Sequence, residues 1–188
     1  MKIAIIGWGS LVWDPRGLPR EGAWDDNGPS LPIEFSRISR DARLTLVIDT
    51  DNGQQVTTMH VPSPRTALPD AIEDLREREG TSDKGIGWVD LPHGTSSRMD
   101  HKHHAPVHEA IKTWCQNSGY DGAVWTALGS NFKKETDVEF TVDAGIDYIS
   151  RLPKNVRAEA LRYIRNAPTC VQTELRYRAM KEFGEQGG

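Results

Sequence analysis

The chain opens with an apolar segment that runs into a glycine loop, Ile3-Ala4-Ile5-Ile6-Gly7-Trp8-Gly9-Ser10-Leu11. The four aliphatic residues at 3–6 predict a buried strand, and the two glycines predict a sharp backbone turn where the strand ends. Glycine lets successive N–H groups point into one concavity, and such a concavity suits a carboxylate or a phosphate. The sequence therefore predicts a central strand that leads into an anion-binding loop.

One interpretation of this loop is the G-x-G-x-x-G fingerprint of dinucleotide-binding proteins, which needs a third small residue and then a helix. Here Val12 occupies the third position. The next residues are Trp13-Asp14-Pro15-Arg16-Gly17-Leu18-Pro19, whose two prolines and one glycine exclude a long helix. The pattern argues against a nucleotide, and no cofactor is predicted.

Another interpretation rests on family resemblance. Trp8-Gly9-Ser10-Leu11 resembles the Tyr-Gly-Ser-Leu loop that follows the first strand in the gamma-glutamylcyclotransferase-like family. The resemblance implies that amides of this loop hold the γ-glutamyl group of a substrate. Trp8 stands where Tyr is usual, so the chain keeps an aromatic wall but replaces a hydroxyl with an indole N–H that only donates.

Length and charge limit the classes of partner. A chain of 188 residues predicts a single domain over residues 1–188, with a helical C-terminal segment at about 154–183. The net charge of -4, without a Lys/Arg cluster, argues against nucleic acid or an anionic membrane as partner.

Cys115 and Cys170 form no C-x-x-C motif, so no disulfide framework is expected. We expect a cytoplasmic protein with a small-molecule partner; the sequence does not indicate its oligomeric state.

The remaining pattern mixes strands with helices. Strands are predicted at 32–39, 44–48, 55–61, 85–89 and 122–128, and helices at 69–79, 105–117 and, interrupted at Pro168, within 154–183. The Asn52-Gly53 turn predicts that strands 44–48 and 55–61 form a hairpin. Together these elements predict an α+β fold, with a mixed, largely antiparallel sheet or small barrel and flanking helices.

Glu79 is the main candidate for acid/base chemistry. On a 3.6-residue helix it continues the apolar stripe of Leu68, Ile72 and Leu75, and Gly80 follows as the stop signal. A partly buried carboxylate is a stronger base than an exposed one. The segment Glu79-Gly80 before a short loop and a strand also looks like the arrangement of the catalytic Glu in gamma-glutamylcyclotransferases.

The resemblance implies a specific reaction. The α-amine of a γ-glutamyl amide attacks its own γ-carbonyl, which gives 5-oxoproline and a free amine, and the substrate is glutathione or a smaller γ-glutamyl compound. Glu79 would act as acid/base, while the loop at Trp8, Gly9, Ser10 and Leu11 would bind the substrate. Both reacting groups belong to one molecule, so the chemistry requires no metal.

Further residues are candidates for substrate contacts, or for packing and surface ion pairs: Trp88, Tyr120 and Arg37.

Two alternative functions remain. The first is a non-catalytic small-molecule-binding or regulatory module of the same fold, suggested by Trp8 in place of Tyr. The second is a metal-dependent hydrolase that uses the histidine group at 101–108, where His104 and His108 have the i, i+4 spacing of helical metal ligands.

Overall fold

The computed structural model describes residues 1–97 and 104–184. The described residues form eight strands, seven helices and one 3₁₀ turn at Asp83–Gly85. The strands are β1 Ile3–Gly7, β2 Ser30–Ile38, β3 Leu44–Ile48, β4 Gln54–Thr57, β5 Met59–Pro62, β6 Ile86–Asp90, β7 Thr95–Ser96 and β8 Gly122–Thr126. The helices are α1 Ser10–Trp13, α2 Leu68–Glu79, α3 Ala105–Ser118, α4 Phe132–Thr136, α5 Val142–Arg151, α6 Lys154–Asn166 and α7 Glu174–Phe183.

The chain divides into two compact units, each built from three separate segments. The first unit consists of Met1–Gly7, Asp14–Leu31 and Thr57–Leu128. The second unit consists of Trp8–Trp13, Pro32–Val56 and Gly129–Gly188. No helix within residues 1–97 and 104–184 is both long enough and apolar enough to cross a membrane.

The first unit is built on a five-stranded mixed sheet with the order β5-β1-β8-β6-β7. Strand β1 is parallel to β8 and antiparallel to β5, and β6 is antiparallel to both β8 and β7. All five residues of β1 are buried, as the run of aliphatic side chains predicts for a central strand. Helices α2 and α3 pack against β6 and β8.

The second unit combines a three-stranded sheet with helices α1 and α4–α7. Helices α5, α6 and α7 contact one another, and α6 also packs against β3. The core includes Phe35 and an edge-to-face pair of Phe132 and Phe140 with ring centroids 5.3 Å apart. Thr141 and Thr173 cap the N-termini of α5 and α7 through their hydroxyl oxygens.

The predicted hairpin of strands 44–48 and 55–61 is wrong. The strand order is β3-β2-β4, so β2 lies between the two strands that were expected to pair. The Asp49 carboxylate accepts hydrogen bonds from the backbone N–H groups of Asp51 and Asn52. A Cβ at Gly53 would lie 2.5 Å from the carbonyl carbon of Pro32, so glycine lets the chain pass close to the start of β2.

The predicted strand at 55–61 is also divided into β4 and β5. Thr58 separates them because its polar groups bond to an earlier segment instead of continuing a ladder. Its N–H and hydroxyl donate to the Pro29 carbonyl, at 3.1 and 2.7 Å, and its carbonyl accepts from the Gly28 N–H. The α+β class of the prediction is nevertheless confirmed, with two sheets and flanking helices.

Candidate functional site

Glu79 is the last residue of α2, and the backbone after it fixes where the helix ends. Gly80 adopts the left-handed conformation, with φ 59° and ψ 40°, and its N–H bonds to the carbonyls of Arg76 and Glu77. This is the usual glycine stop, and it satisfies carbonyls that the end of a helix would otherwise leave unpaired. The helix and its end both agree with the prediction from sequence.

The buried stripe of α2 ends at Arg78 and not at Glu79. Its buried residues are Leu68, Ala71, Leu75 and Arg78, whereas Ile72 and Glu79 are only half-buried. Positions three and four after Leu75 flank the same face of a helix, and packing decided which of them is buried. The sequence pattern did not indicate that the Arg78 guanidinium would be buried at the end of this stripe.

Arg78 and Glu79 form an ion pair that is largely removed from solvent. The Arg78 Nη1 donates to the Glu79 Oε1 at 2.5 Å, and the two side chains are 3% and 15% exposed. The Arg78 Nη2 donates to the backbone carbonyl of Asp14, also at 2.5 Å. The guanidinium therefore fixes the Glu79 carboxylate in place and holds the end of α2 against the segment that begins at Asp14.

A cavity of about 600 Å³ opens beside this ion pair. Such a volume is typical of small-molecule sites. All of its lining residues belong to the first unit: Arg16, Gly17, Leu18, Pro19, Arg65, Asp74, Glu77, Arg78, Glu79 and Gly80. Three guanidinium groups and three carboxylates line the cavity, so it suits a ligand that carries charges of its own.

Two of these residues form a second, bidentate ion pair. The Arg65 Nε and Nη2 donate to the two carboxylate oxygens of Asp74 at 2.7 and 2.9 Å. Arg65, Asp74 and Arg16 were not predicted as site residues. The only sequence signal for Arg16 was its position before Gly17 in a proline-flanked segment, which indicates a turn but not what the turn contacts.

The predicted substrate loop lies in the second unit. Trp8 and Leu11 are buried, and Ser10 begins the single helical turn α1, so the loop is shorter than expected from sequence. The Gly9 carbonyl accepts from the Val12 N–H at 2.9 Å. A Cβ at Gly9 would lie 3.0 Å from the Tyr163 hydroxyl, so the packing leaves little room for a side chain there.

The other predicted contact residues are distributed over both units. In the first, Trp88 is half-buried on β6, and the ring of Tyr120 stacks on Trp114 with centroids 5.3 Å apart. In the second, the Arg37 Nη1 donates to the Gly129 carbonyl at 2.8 Å. Glu79, Trp88 and Tyr120 thus share one unit, and Arg37 shares the other with the Trp8–Leu11 loop.

The histidine group is only partly described. His101 and His103 lie outside the described residues, and His104 directly precedes α3. His108 is buried, its Nδ1 lies 2.9 Å from the His104 carbonyl, and its ring packs edge-to-face on Trp125. Residues 1–97 and 104–184 contain no group of three side chains placed to hold a metal ion.

Comparison with known proteins gives similarity at the level of the fold. No family model matches the chain, and no curated protein sequence matches it. Among solved structures, the chain is similar to a gamma-glutamyl cyclotransferase from yeast that is specific to glutathione. The similarity covers 100% of both chains, with 13% sequence identity and a TM-score of 0.51. The chain therefore has a gamma-glutamylcyclotransferase-like fold.

Proposed function

We propose that this protein is a gamma-glutamylcyclotransferase-type enzyme that converts a γ-glutamyl amide to 5-oxoproline and a free amine. The observation that carries the proposal is the position of Glu79, a partly buried carboxylate that lines a cavity of ligand size. The fold similarity over the whole chain supports the same type of reaction. The substrate is a small molecule.

Glu79 is the proposed general acid/base. It takes a proton from the substrate's α-ammonium group, and the resulting amine attacks the γ-carbonyl to form the new C–N bond. It then returns the proton to the leaving nitrogen as the original C–N bond breaks. The attacking nitrogen loses its second proton as the lactam forms, and the released amine takes up a proton and leaves as an ammonium ion. The attack is intramolecular, so correct positioning supplies an effective molarity on the order of 10⁵ M or more, and a covalent nucleophile is unnecessary.

The loop of Trp8, Gly9, Ser10 and Leu11 is the proposed anchor for the γ-glutamyl group. Backbone N–H groups are suitable donors to the substrate's α-carboxylate and to the oxyanion that develops during the attack. The close packing around Gly9 supports this role, because a rigid backbone presents its N–H groups in a fixed geometry. Trp88, Tyr120 and Arg37 are proposed as further substrate contacts.

Substitutions in the loop are expected to separate backbone from side-chain recognition. Gly9→Val places a side chain against the Tyr163 hydroxyl and should lower kcat/KM by about 100-fold, because a misplaced loop no longer aligns the reacting groups. Ser10→Ala keeps the backbone and should cost less than about tenfold.

Kinetics of 5-oxoproline release, with thermal melts to verify folding, measure both effects. Gly184→Ala is the matched control, because its Cβ would meet nothing closer than the Met180 Cβ at 3.9 Å. A greater loss in Ser10→Ala than in a folded Gly9→Val would show that the hydroxyl, and not the backbone, is recognised.

The proposed function is tested with the purified protein and a panel of glutathione, γ-glutamyl amino acids and γ-glutamyl amines. Mass spectrometry of 5-oxoproline and of the released amine, in equal amounts, reports the reaction. Equimolar release that depends on enzyme concentration supports the proposal. No release above the spontaneous rate from any member of the panel contradicts it.

One observation favours the alternative of a non-catalytic binding module. The Glu79 carboxylate already bonds to Arg78 at 2.5 Å, and a binding protein could retain such a pair without any proton transfer. This alternative predicts that a γ-glutamyl compound raises the melting temperature without being consumed. The same panel, followed by thermal shift and by mass spectrometry, distinguishes the two functions.

A further inference from the structure

One residue of the cavity beside Glu79 lies on a backbone turn of unusual geometry. Arg16 has a φ of 47°, and Gly17 after it has a φ of 79°. The Leu18 N–H donates to the Pro15 carbonyl at 3.0 Å and closes the turn. Two consecutive positive φ values are typical of a type I′ turn, whose first central position is usually Asn, Asp or Gly. Arginine is therefore an uncommon residue at this position of the turn.

The place of this turn relative to Glu79 is fixed by Arg78. The Arg78 guanidinium bonds at once to the Glu79 carboxylate and to the Asp14 carbonyl, two residues before Arg16. Arg78 is almost fully buried, so this connection is shielded from water. The Arg16 side chain and the Glu79 carboxylate line the same cavity, and Arg78 holds both the turn and the carboxylate in place.

The three guanidinium groups of the cavity differ in how readily a ligand can engage them. Arg78 is bonded to Glu79 and Asp14, and Arg65 is held by both oxygens of Asp74. Arg16 is held by the Asp14 carboxylate through its Nε at 3.1 Å, and the two side chains are 58% and 55% exposed. Such an exposed pair contributes little to stability, so a ligand carboxylate can replace Asp14 at small cost.

We infer that Arg16 determines substrate specificity by binding a carboxylate on the amine portion of the substrate. This inference rests on the proposed function, because it takes Glu79 to act at the amide bond. Glu79 lines the cavity and acts at the scissile bond, so the amine portion beyond that bond occupies the cavity. The substrates are then γ-glutamyl amino acids or peptides, and γ-glutamyl amines without a carboxylate are poor substrates.

Two substrates that differ only in the relevant group test the inference. They are γ-glutamylalanine and γ-glutamylethylamide, which is the same compound without the alanine carboxylate. A charge-assisted, bidentate contact to arginine should favour γ-glutamylalanine by about tenfold to 100-fold in kcat/KM. Arg16→Gln should bring this ratio close to one, mainly through KM for γ-glutamylalanine, and Arg16→Lys should restore part of it.

Arg20→Gln is the matched control, because Arg20 is a nearby exposed arginine that does not line the cavity. It should leave the ratio unchanged. The inference would be overturned if the wild type used the two substrates equally, or if Arg16→Gln did not alter the ratio of their kcat/KM values. In either case, release of 5-oxoproline would still support the proposed function. An equal loss for both substrates in Arg16→Gln would also overturn it, since Arg16 would then act on the γ-glutamyl portion common to both.

A binding measurement separates the inference from turnover. Calorimetric titration of Glu79→Gln with the two compounds should show tighter binding of γ-glutamylalanine, and the additional Arg16→Gln substitution should remove that difference. If neither compound yields 5-oxoproline with the wild type, the proposed function fails, and the cyclotransferase specificity fails with it. A carboxylate preference that persists in the titrations would then assign Arg16 to ligand binding by a non-catalytic module.

Discussion

Glu79→Gln is expected to lower the rate of 5-oxoproline release by about 10² to 10⁴-fold, the range that general acid/base catalysis contributes. Glutamine has nearly the same size as glutamate, and its amide oxygen still accepts the hydrogen bond from the Arg78 guanidinium. It cannot, however, take a proton from the substrate ammonium or return it to the leaving nitrogen. The variant should therefore bind the substrate and fail in the chemical step.

The measurement is steady-state kinetics with whichever γ-glutamyl compound the wild type uses. Glu73→Gln is the matched control: Glu73 lies on the same helix, is half exposed, and pairs with Arg76 outside the cavity lining. It should retain the wild-type rate. If a folded Glu79→Gln retained more than about a tenth of the wild-type kcat, Glu79 would not be the acid/base.

The second large effect concerns stability, and it arises from Glu34 on β2 in the second unit. This side chain is 1% exposed, and burial raises its pKa from 4.5 to about 7, with the nearby Asp49 charge acting in the same direction. Hydrogen bonds from the Phe35 N–H and the Thr173 side chain oppose this shift but are outweighed. The sequence alternation of β2 did not single out this glutamate as buried.

The sign of the pH dependence follows from where the protons are bound. Between about pH 4.5 and pH 7, Glu34 is protonated in the folded protein and ionised in the unfolded chain, so rising pH favours unfolding. The stability loss across this window is on the order of 3 kcal/mol, and it is complete above about pH 7. Glu34→Gln mimics the neutral form and should remove this part of the pH dependence.

Urea unfolding of the wild type and Glu34→Gln at about pH 4.5 and about pH 7.5 measures the difference. The two proteins should have similar free energies of unfolding at the lower pH, whereas the variant should be more stable at the higher pH. Glu139→Gln, an exposed glutamate of the same unit, serves as the control and should follow the wild type. Parallel curves for the wild type and Glu34→Gln would contradict the raised pKa.

Elements defined by local patterns were predicted well. The strand Ile3–Gly7 was visible as an aliphatic run, and α2 as a 3.6-residue periodicity closed by Gly80. Both depend on neighbours in sequence, namely side-chain spacing and one backbone conformation that suits glycine. The pairing of β3 was predicted incorrectly, because the choice between β2 and β4 as neighbour depends on long-range packing that a turn motif does not encode.

The candidate site also combines features that local sequence patterns predict with features that depend on long-range packing. The sequence by itself determined that a glycine loop follows the first strand and that Glu79 ends an amphipathic helix, because both follow from short-range backbone and periodicity rules. Only the tertiary structure decided that Arg78 is buried against Glu79, that Arg16 lines the same cavity, and that Glu34 is removed from water. Arg78 is buried where it bonds to the distant Asp14 carbonyl, and the cavity and the burial of Glu34 likewise depend on segments far apart in sequence. The charge and solvation of a group depend on all the neighbours that folding brings to it.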